Sequence, residues 1–506
     1  MKRIVLLSLL VLTATFGCDD DFINLTNKEE LSVDSFWQNE QHATQAMVAA
    51  YGPLQGYNGS KWTFFEEMFI GMAFKADDIL NAPTHYGKSI ADFTHGTDDI
   101  TFTSIWKSYY TGIFYANQIL ENVPKIESLS QESREAFIGE AKFLRALYNF
   151  QLLVLFKNVP LVLNVPVNSD EFYPEQESPE TVWQQIVEDL KDAELKTPES
   201  HQDSHTGRAT KYAAKALLAK VHLFMENWQG AADKFDEVIA EGGYQLNANY
   251  EDNFNGKGEN GQEAVFEIQF SGDRSNGNDE RHPINFEAAP GALGGWELFY
   301  PSDWLVEEMM KDKSEGGEYS DRVYGSIYFD DPNSVMNGPS EDMVDVPYAD
   351  VKDELTNPSY FKKFVYHFDL NFYSGINVAM IRYADVLLMY AEALNELDKT
   401  DDAIDYVNMV RERSNAAPLG PMSKEALRTQ IRHHERPVEL AMEWGIRWFD
   451  LYRWNVGATA KESIRQTLID HDKPNAENFT EGKNEIYPIP LSEMNKNENL
   501  VQNDNF

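Results

Sequence analysis

The chain has 506 residues and a formal net charge of −40, from 83 acidic and 43 basic side chains. A field of that sign repels phosphate backbones, so nucleic acid is excluded as a partner, and polyanionic glycans such as alginate or pectate are disfavoured unless a local basic patch overrides it. A single cysteine rules out an internal disulfide, and an aromatic content of 13% supplies a large core with rings to spare for a surface site.

Met1-Lys2-Arg3 puts positive charge first, Ile4 to Leu12 follows as an apolar run broken only by Ser8, and Thr13 to Gly17 are mostly small. That is the order of a secretory signal, and the run is too short to span a bilayer. A signal peptide is therefore predicted over residues 1–17, with cleavage before Cys18 and lipidation of its thiol. The arrangement resembles a bacterial lipobox, with Thr15 where leucine is usual. Acyl chains, at ~0.8 kcal/mol per buried methylene, would hold the mature protein on a membrane. Residues 18–40 then form an acidic tether leading into the fold. Its Asp19-Asp20-Asp21 run resembles the signal that exports Bacteroidota lipoproteins to the outer face of the outer membrane.

Residues 41–506 read as one body, with an N-terminal part to about 270 and a C-terminal part from about 271. No later stretch is apolar enough to cross a membrane. Phe143 to Leu163 contains Arg145, Asn149, Lys157 and Asn158 and reads as a buried helix followed by a loop. Three- and four-residue apolar spacing predicts helices over Gln41–Leu54, Ile105–Val123, Glu132–Phe156 and Pro179–Leu195. Two further segments each predict a helical hairpin. Ala209–Ala240 breaks near Asn227 to Gly230 and resumes with Ala231, Phe235 and Val238 on one face. Tyr383–Arg413 breaks near Leu397 to Thr400 and resumes with Ala403, Val407 and Val410 in the matching places. A small residue followed at +4 and +7 by apolar ones is the second-helix signature of a tetratricopeptide unit, the small residue allowing close helix approach. The fold class is thus mostly α: a helical-repeat scaffold with few short strands and long insertions. Lys75–Ser104, Asn247–Gly261, Ser271–Gly295 and Asp312–Pro358 are the loop-like insertions, and a strand is expected over Glu263–Phe270. Loops this long in a compact protein tend to carry function.

Three blocks then resemble one family. Arg382-Tyr383-Ala384-Asp385 through Ala393, Glu435-Arg436-Pro437 through Arg453-Trp454, and Tyr487-Pro488-Ile489-Pro490 with Glu493 and the Asn499 to Asn503 tail are similar to the SusD/RagB pattern. The tail departs from it in having Lys496 after Asn495 where the family has Asn-Pro. The resemblance implies four tetratricopeptide-like helix pairs. It also implies a role as the lid of a SusC-like, TonB-dependent outer-membrane transporter, capturing oligosaccharide outside the cell. Within the strongest block, Glu435, Arg436, Glu439, Glu443, Arg447, Asp450 and Arg453 lie three or four apart and read as a structural ion-pair ladder along helices.

No catalytic constellation stands out, so the protein is read as a binding module and not an enzyme, with no cofactor and no metal. His433-His434-Glu435 lacks the second histidine of a zincin, since Val438 occupies its place, and no nucleophile elbow or phosphate-binding loop is present. Asp330-Asp331-Pro332-Asn333 matches no calcium loop and reads as a solvated turn. Binding a glycan calls for flat aromatic platforms with acid or amide groups at their edges. Trp296, in Gly294-Gly295-Trp296, is the main platform candidate, because a ring on a glycine-rich loop is better placed than one on a helical stripe. The resemblance places sugar contacts in that loop and in the one after Asp77-Asp78. Tyr86 and Trp62 are supporting rings, although Trp62 also fits core packing with Phe65, Met68 and Phe69. Asp78 and then Asn81 are the hydroxyl partners. A neutral glycan, laminarin first, agrees with the charge; the alternative is a surface helical-repeat protein that binds a protein or peptide.

Overall fold

The computed structural model describes residues 36–56, 67–83, 85–273, 280–337, 345–366 and 373–506. Cys18, the acidic tether and Trp62 lie outside the described residues. The scaffold is a file of helices: α1 Glu40–Tyr51, α2 Ile100–Asn122, α3 Gln131–Phe156, α4 Pro179–Lys196, α5 Lys211–Phe224, α6 Trp228–Glu241, α7 Tyr383–Glu396 and α8 Thr400–Arg413. Each packs on the next in this order, α6 reaching α7 across the long insertion between them, so the file reads as four successive pairs. Polar side chains set the starts. Ser130 and Ser178 accept the amides of Ser133 and Thr181, satisfying donors that a first helical turn leaves open. Asn227 does the same for Gly230 at 3.1 Å, which starts α6 at Trp228 and confines the turn to Met225–Asn227, earlier than the sequence indicates. Ala231, Phe235 and Val238 of α6, and Ala403, Val407 and Val410 of α8, are buried in the seams.

The insertions are less open than their composition suggests. Lys75, Asp77 and Asp78 are buried, as are Thr101, Thr103 and Ser104, and Ser271–Gly295 encloses a buried helix at Ile284–Ala288. Short strands tie the insertions together in antiparallel pairs: β1 (Ile79–Asn81) with β3 (Phe299–Pro301), β2 (Ala264–Ile268) with β8 (Val378–Arg382), β4 (Ile327–Phe329) with β7 (Ser359–Phe361), and β5 (Val335–Met336) with β6 (Val346–Pro347). The first two pairings join the N- and C-terminal parts of the chain.

The block from Glu435 is a hub, not a ladder. A π turn over Ile431–Glu435 leads into a short helix, Arg436–Leu440, and a tight turn ending at Gly445 precedes α9, Ile446–Val456. Gly445 has φ +67°, and a Cβ there would stand 2.6 Å from the Met72 carbonyl oxygen, so this close approach requires glycine. Because the helix is interrupted, most charges in the block pair with distant elements. Glu439 and Glu443 meet Arg382 at 2.7 Å, and Arg382 also meets Glu263 at 2.8 Å. Glu435 binds Arg322 and Arg411, Arg436 binds Asp385 and Asp450, Arg453 binds Glu392, and Arg447 binds Asp77 at 2.6 Å. Only Arg453–Asp450 has the three-residue spacing of a ladder. All of these groups are buried.

Burial by itself pushes these carboxyls up, but the guanidiniums override it: Arg413, Arg382 and Arg322 bring Glu439 down to about 2, and Arg453 does the same for Glu392. Their stabilisation is complete above the ordinary value of 4.5 and is lost as pH falls toward 2. Asp78 behaves in the opposite sense. Burial first, and the adjacent Asp77 charge second, raise it from 3.8 to about 6, so it disfavours the fold increasingly as pH rises through that interval.

Two outcomes follow from these charges. Arg382→Met takes one cation from three buried carboxylates, leaving Glu263 and Glu439 to Arg413 and Glu443 to Lys363, and is expected to destabilise the protein by about 3–5 kcal/mol, whereas Lys125→Met, which breaks an exposed pair with Glu121, costs less than about 1 kcal/mol. Thermal unfolding of both variants checks this, and equal effects would contradict the hub. Asp78→Asn is expected to raise the thermal midpoint at pH 7.5 and to leave it nearly unchanged at pH 4, where the wild-type group is largely protonated. A midpoint lowered at pH 7.5 would show that the carboxylate is held charged to advantage.

Candidate functional site

The pairing of β1 with β3 sets Asn81 opposite Phe299, and the Ala82 amide donates to the Leu298 carbonyl at 2.8 Å. Two loops remote in sequence, 82–87 and 290–298, are thereby brought side by side. They carry Tyr86 and Trp296, each about half exposed.

The Trp296 loop is rigid. A turn of helix at Gly291–Leu293 ends on Gly294, whose φ of +88° is left-handed, and a Cβ on Gly295 would lie 2.1 Å from the Ala289 carbonyl oxygen. Both positions therefore need glycine. The Trp296 amide donates to the Phe286 carbonyl at 2.9 Å, and its ring packs 4.5 Å from the Phe286 ring. Glu297 fastens the next position, itself at φ +55°. Its carboxylate accepts from the Gly291 amide at 3.1 Å, the Asn357 side chain at 2.9 Å and the Tyr360 hydroxyl. The indole is thus packed against Phe286 at a tilt of 55° while about half of it stays open.

Tyr86 has a comparable support. The Gly87 amide donates to His85 Nδ1 at 2.8 Å, which fixes that nitrogen as an acceptor, and burial lowers the imidazole to about 4. The neutral ring lies between Phe74, at 5.1 Å, and Tyr86, stacked at 4.3 Å.

The remaining candidates fare differently. Asp78 is withdrawn from solvent, and its Oδ2 accepts the Met442 amide at 3.2 Å. It is a pin between the β1 segment and the hub, so the expectation that it accepts sugar hydroxyls is corrected: a side chain with no exposed edge cannot meet a surface ligand. Asn81 is half-buried at the end of β1, its Nδ2 3.4 Å from the Ala82 carbonyl. Trp448 and Trp454 are buried in the hub. His434 is engaged by Glu308 at 2.6 Å and by Asp312, and among the described residues no cluster of three or more acidic, histidine or cysteine side chains could hold a metal ion. Glu297, which holds the platform in place, escaped the sequence reading because one carboxylate among 83 carries no signal.

Chemically, the site offers two flat, backed rings at the edge of a two-stranded ribbon, with amide and carboxylate groups close by. Such surfaces suit ligands with a C–H-rich face and polar edges.

The comparisons with known proteins agree with this architecture. Residues 262–506 match the profile described as the SusD family, and residues 21–223 match one described as starch-binding, associating with the outer membrane. A SusD-like protein of Formosa agariphila is 24% identical over 529 aligned residues, covering 99% of this chain and 98% of its own. Among solved structures, a SusD superfamily protein from Bacteroides vulgatus superposes with a TM-score of 0.81 at 26% identity, over 93% of this chain and all of the other. A laminarin-binding SusD-like protein superposes at 0.74 and 26% identity, with the same 93% of this chain covered and 100% of its own. The matched regions take in the helix file apart from α6, the Arg382 segment and the Glu435–Trp454 hub, and the chain belongs to the SusD family.

Proposed function

We propose that the protein captures a neutral glycan at the cell surface, without cleaving it, and delivers it to a SusC-like TonB-dependent transporter. The observation that carries this reading is Trp296, half exposed on a loop locked by Gly294, Gly295 and Glu297, with Tyr86 on the neighbouring loop. A pyranose ring laid on the indole buries its C–H face, while its hydroxyls remain at the edge for amide and carboxylate partners such as Asn81. Preorganised rings reduce the ordering cost of binding, although a flexible, well-hydrated chain still has to be ordered, so a modest affinity is expected.

The net charge of −40 favours an uncharged ligand, and a laminarin-binding relative at 26% identity supports a β-glucan as the first candidate. The matched family description, which names the outer membrane, supports the placement, and in this reading residues 1–17 are removed and acylated Cys18 holds the protein on the outer leaflet, facing out.

Affinity electrophoresis of the Cys18→Ser chain through gels containing laminarin, xylan, starch, mannan, levan or alginate tests the reading. Laminarin is expected to retard the protein and alginate is not. Trp296→Ala should weaken retardation about tenfold, equivalent to about 1.4 kcal/mol. Tyr86→Ala should weaken it several-fold, and Asp78→Asn should leave it unchanged. A folded Trp296→Ala protein that is retarded like wild type would remove the platform. Absence of retardation by every glycan, with affinity for a purified surface protein instead, would favour the peptide-binding alternative.

A further inference from the structure

A second concave surface lies away from the Trp296 loop, between the middle of α2, the loop 160–174 and the C-terminal segment 493–500, enclosing about 410 Å³. Four large rings reach it while exposed: Phe114 and Tyr115 from α2, and Phe172 and Tyr173 from the loop. Phe172 is 61% exposed, more than Trp296 at 49%. Rings this open cost free energy in water unless something covers them, and a contiguous group of them marks a binding surface.

The groove is built in advance. Trp106 and Tyr110 pack 4.9 Å apart along its side, and the Tyr110 hydroxyl donates to the Pro160 carbonyl at 2.8 Å. The C-terminal tail clamps the loop: Asn497 donates to the Pro174 carbonyl at 2.8 Å, Asn499 to the Tyr173 carbonyl at 2.6 Å, and Gln176 exchanges hydrogen bonds with Val501. Pro160, Pro166 and Pro174 stiffen it further.

Its electrostatics differ from those of the whole molecule. The charged residues lining it are Lys107, Lys496, Glu171 and Glu493, two of each sign. In a chain of net charge −40, a locally neutral aromatic groove fits an uncharged ligand better than a cationic or anionic one. The carboxylates at its rim keep lone pairs for further donors: Glu171 accepts from the Val167 amide and Asn168, and Glu493 from Lys496.

We propose that this groove is a second carbohydrate site, taking one or two sugar units of a neutral glycan chain by stacking on Phe172, Tyr173, Phe114 and Tyr115. The inference rests on the reading of the protein as a glycan binder. Two sites on one body engage the same long polysaccharide with an avidity that neither site has for a short oligosaccharide.

The full Cys18→Ser chain, its Trp296→Ala variant, the Phe172→Ala/Tyr173→Ala variant and the triple variant are compared by retardation in laminarin gels and by calorimetric titration with laminarihexaose. Because both loop residues are exposed, unchanged thermal midpoints are expected. The loop variant should lose several-fold in retardation by the polysaccharide while keeping the high-affinity hexaose isotherm. Trp296→Ala should keep a weak residual retardation that the triple variant lacks. Loop variants with wild-type retardation in both backgrounds would overturn the proposal, as would a loop variant whose only defect is lost capture of a protein partner. Absence of retardation of the wild-type chain by every glycan would fail the parent reading and this one with it. Retardation that survives Trp296→Ala in full but disappears in the loop variant would fail the Trp296 platform alone and make the groove the principal site.

Discussion

The fold depends on a cluster of ionised side chains taken out of water around Arg382, Glu439 and Glu443. Desolvating each costs several kcal/mol, and the attraction between them repays that only when partners are complete and well placed. Here they are nearly so, Glu439 Oε2 standing 3.7 Å from Arg322 without a hydrogen bond: Arg382 meets three carboxylates, and Lys363 donates to Glu443 and to the carbonyls of Glu439 and Ala441. The members come from the residue before β2, the end of β8, the short helix Arg436–Leu440 with the turn after it, and the segment between β7 and β8. A cluster of this kind contributes less to net stability than to discrimination, because any packing that omits one element leaves a buried charge unpaired. A helix file bearing long, turn-rich insertions needs such discrimination, since helical periodicity alone does not say where an insertion should return.

The same network reaches the ligand-facing loops. Arg447 binds Asp77, Met442 donates to Asp78, and Gly445 admits the Met72 carbonyl, so the hub fixes the segment that leads into β1. From β1 the register with β3 sets loop 82–87 against loop 290–298. Asp77 and Asp78 are adjacent in sequence yet are shifted in opposite directions: Arg447 and His471 overcome burial and hold Asp77 far below the usual carboxylate range, while Asp78, with only an amide as its close partner, is raised to about 6. The site's geometry is therefore a consequence of charge burial some residues away.

The helix file was legible because its apolar spacing is regular; the α5–α6 and α7–α8 pairs could be placed from Ala231, Phe235 and Val238 and from Ala403, Val407 and Val410. The open loop that carries Trp296 was legible because two consecutive glycines before an aromatic signal backbone that side chains would obstruct. Burial of polar residues was not legible. Lys75-Ala76-Asp77-Asp78 opens a segment that reads as a loop-like insertion, and only the arrival of Arg447, Met442 and Lys473 from far along the chain makes it core. The ladder reading failed for the same reason: three- and four-residue spacing holds only if the helix continues, and the turn before Gly445 interrupts it. The groove did leave a trace, in Phe114-Tyr115, since adjacent aromatics cannot both face one side of a helix and at least one must stand outward.

Charge connects these features to the ligand. Among the described residues, buried cations and buried carboxylates occur in nearly equal numbers, so the hub consumes no acid excess and practically the whole net charge of −40 is carried by the surface and the residues outside that description. Against that background, places where aromatic rings come to the surface with balanced or few charges are the ones where an uncharged chain can approach without displacing counterions or desolvating carboxylates. The groove beside α2 has this character. Acidity keeps the rest of the surface hydrated and non-adhesive, which leaves shape and ring stacking, not electrostatic attraction, to select what binds.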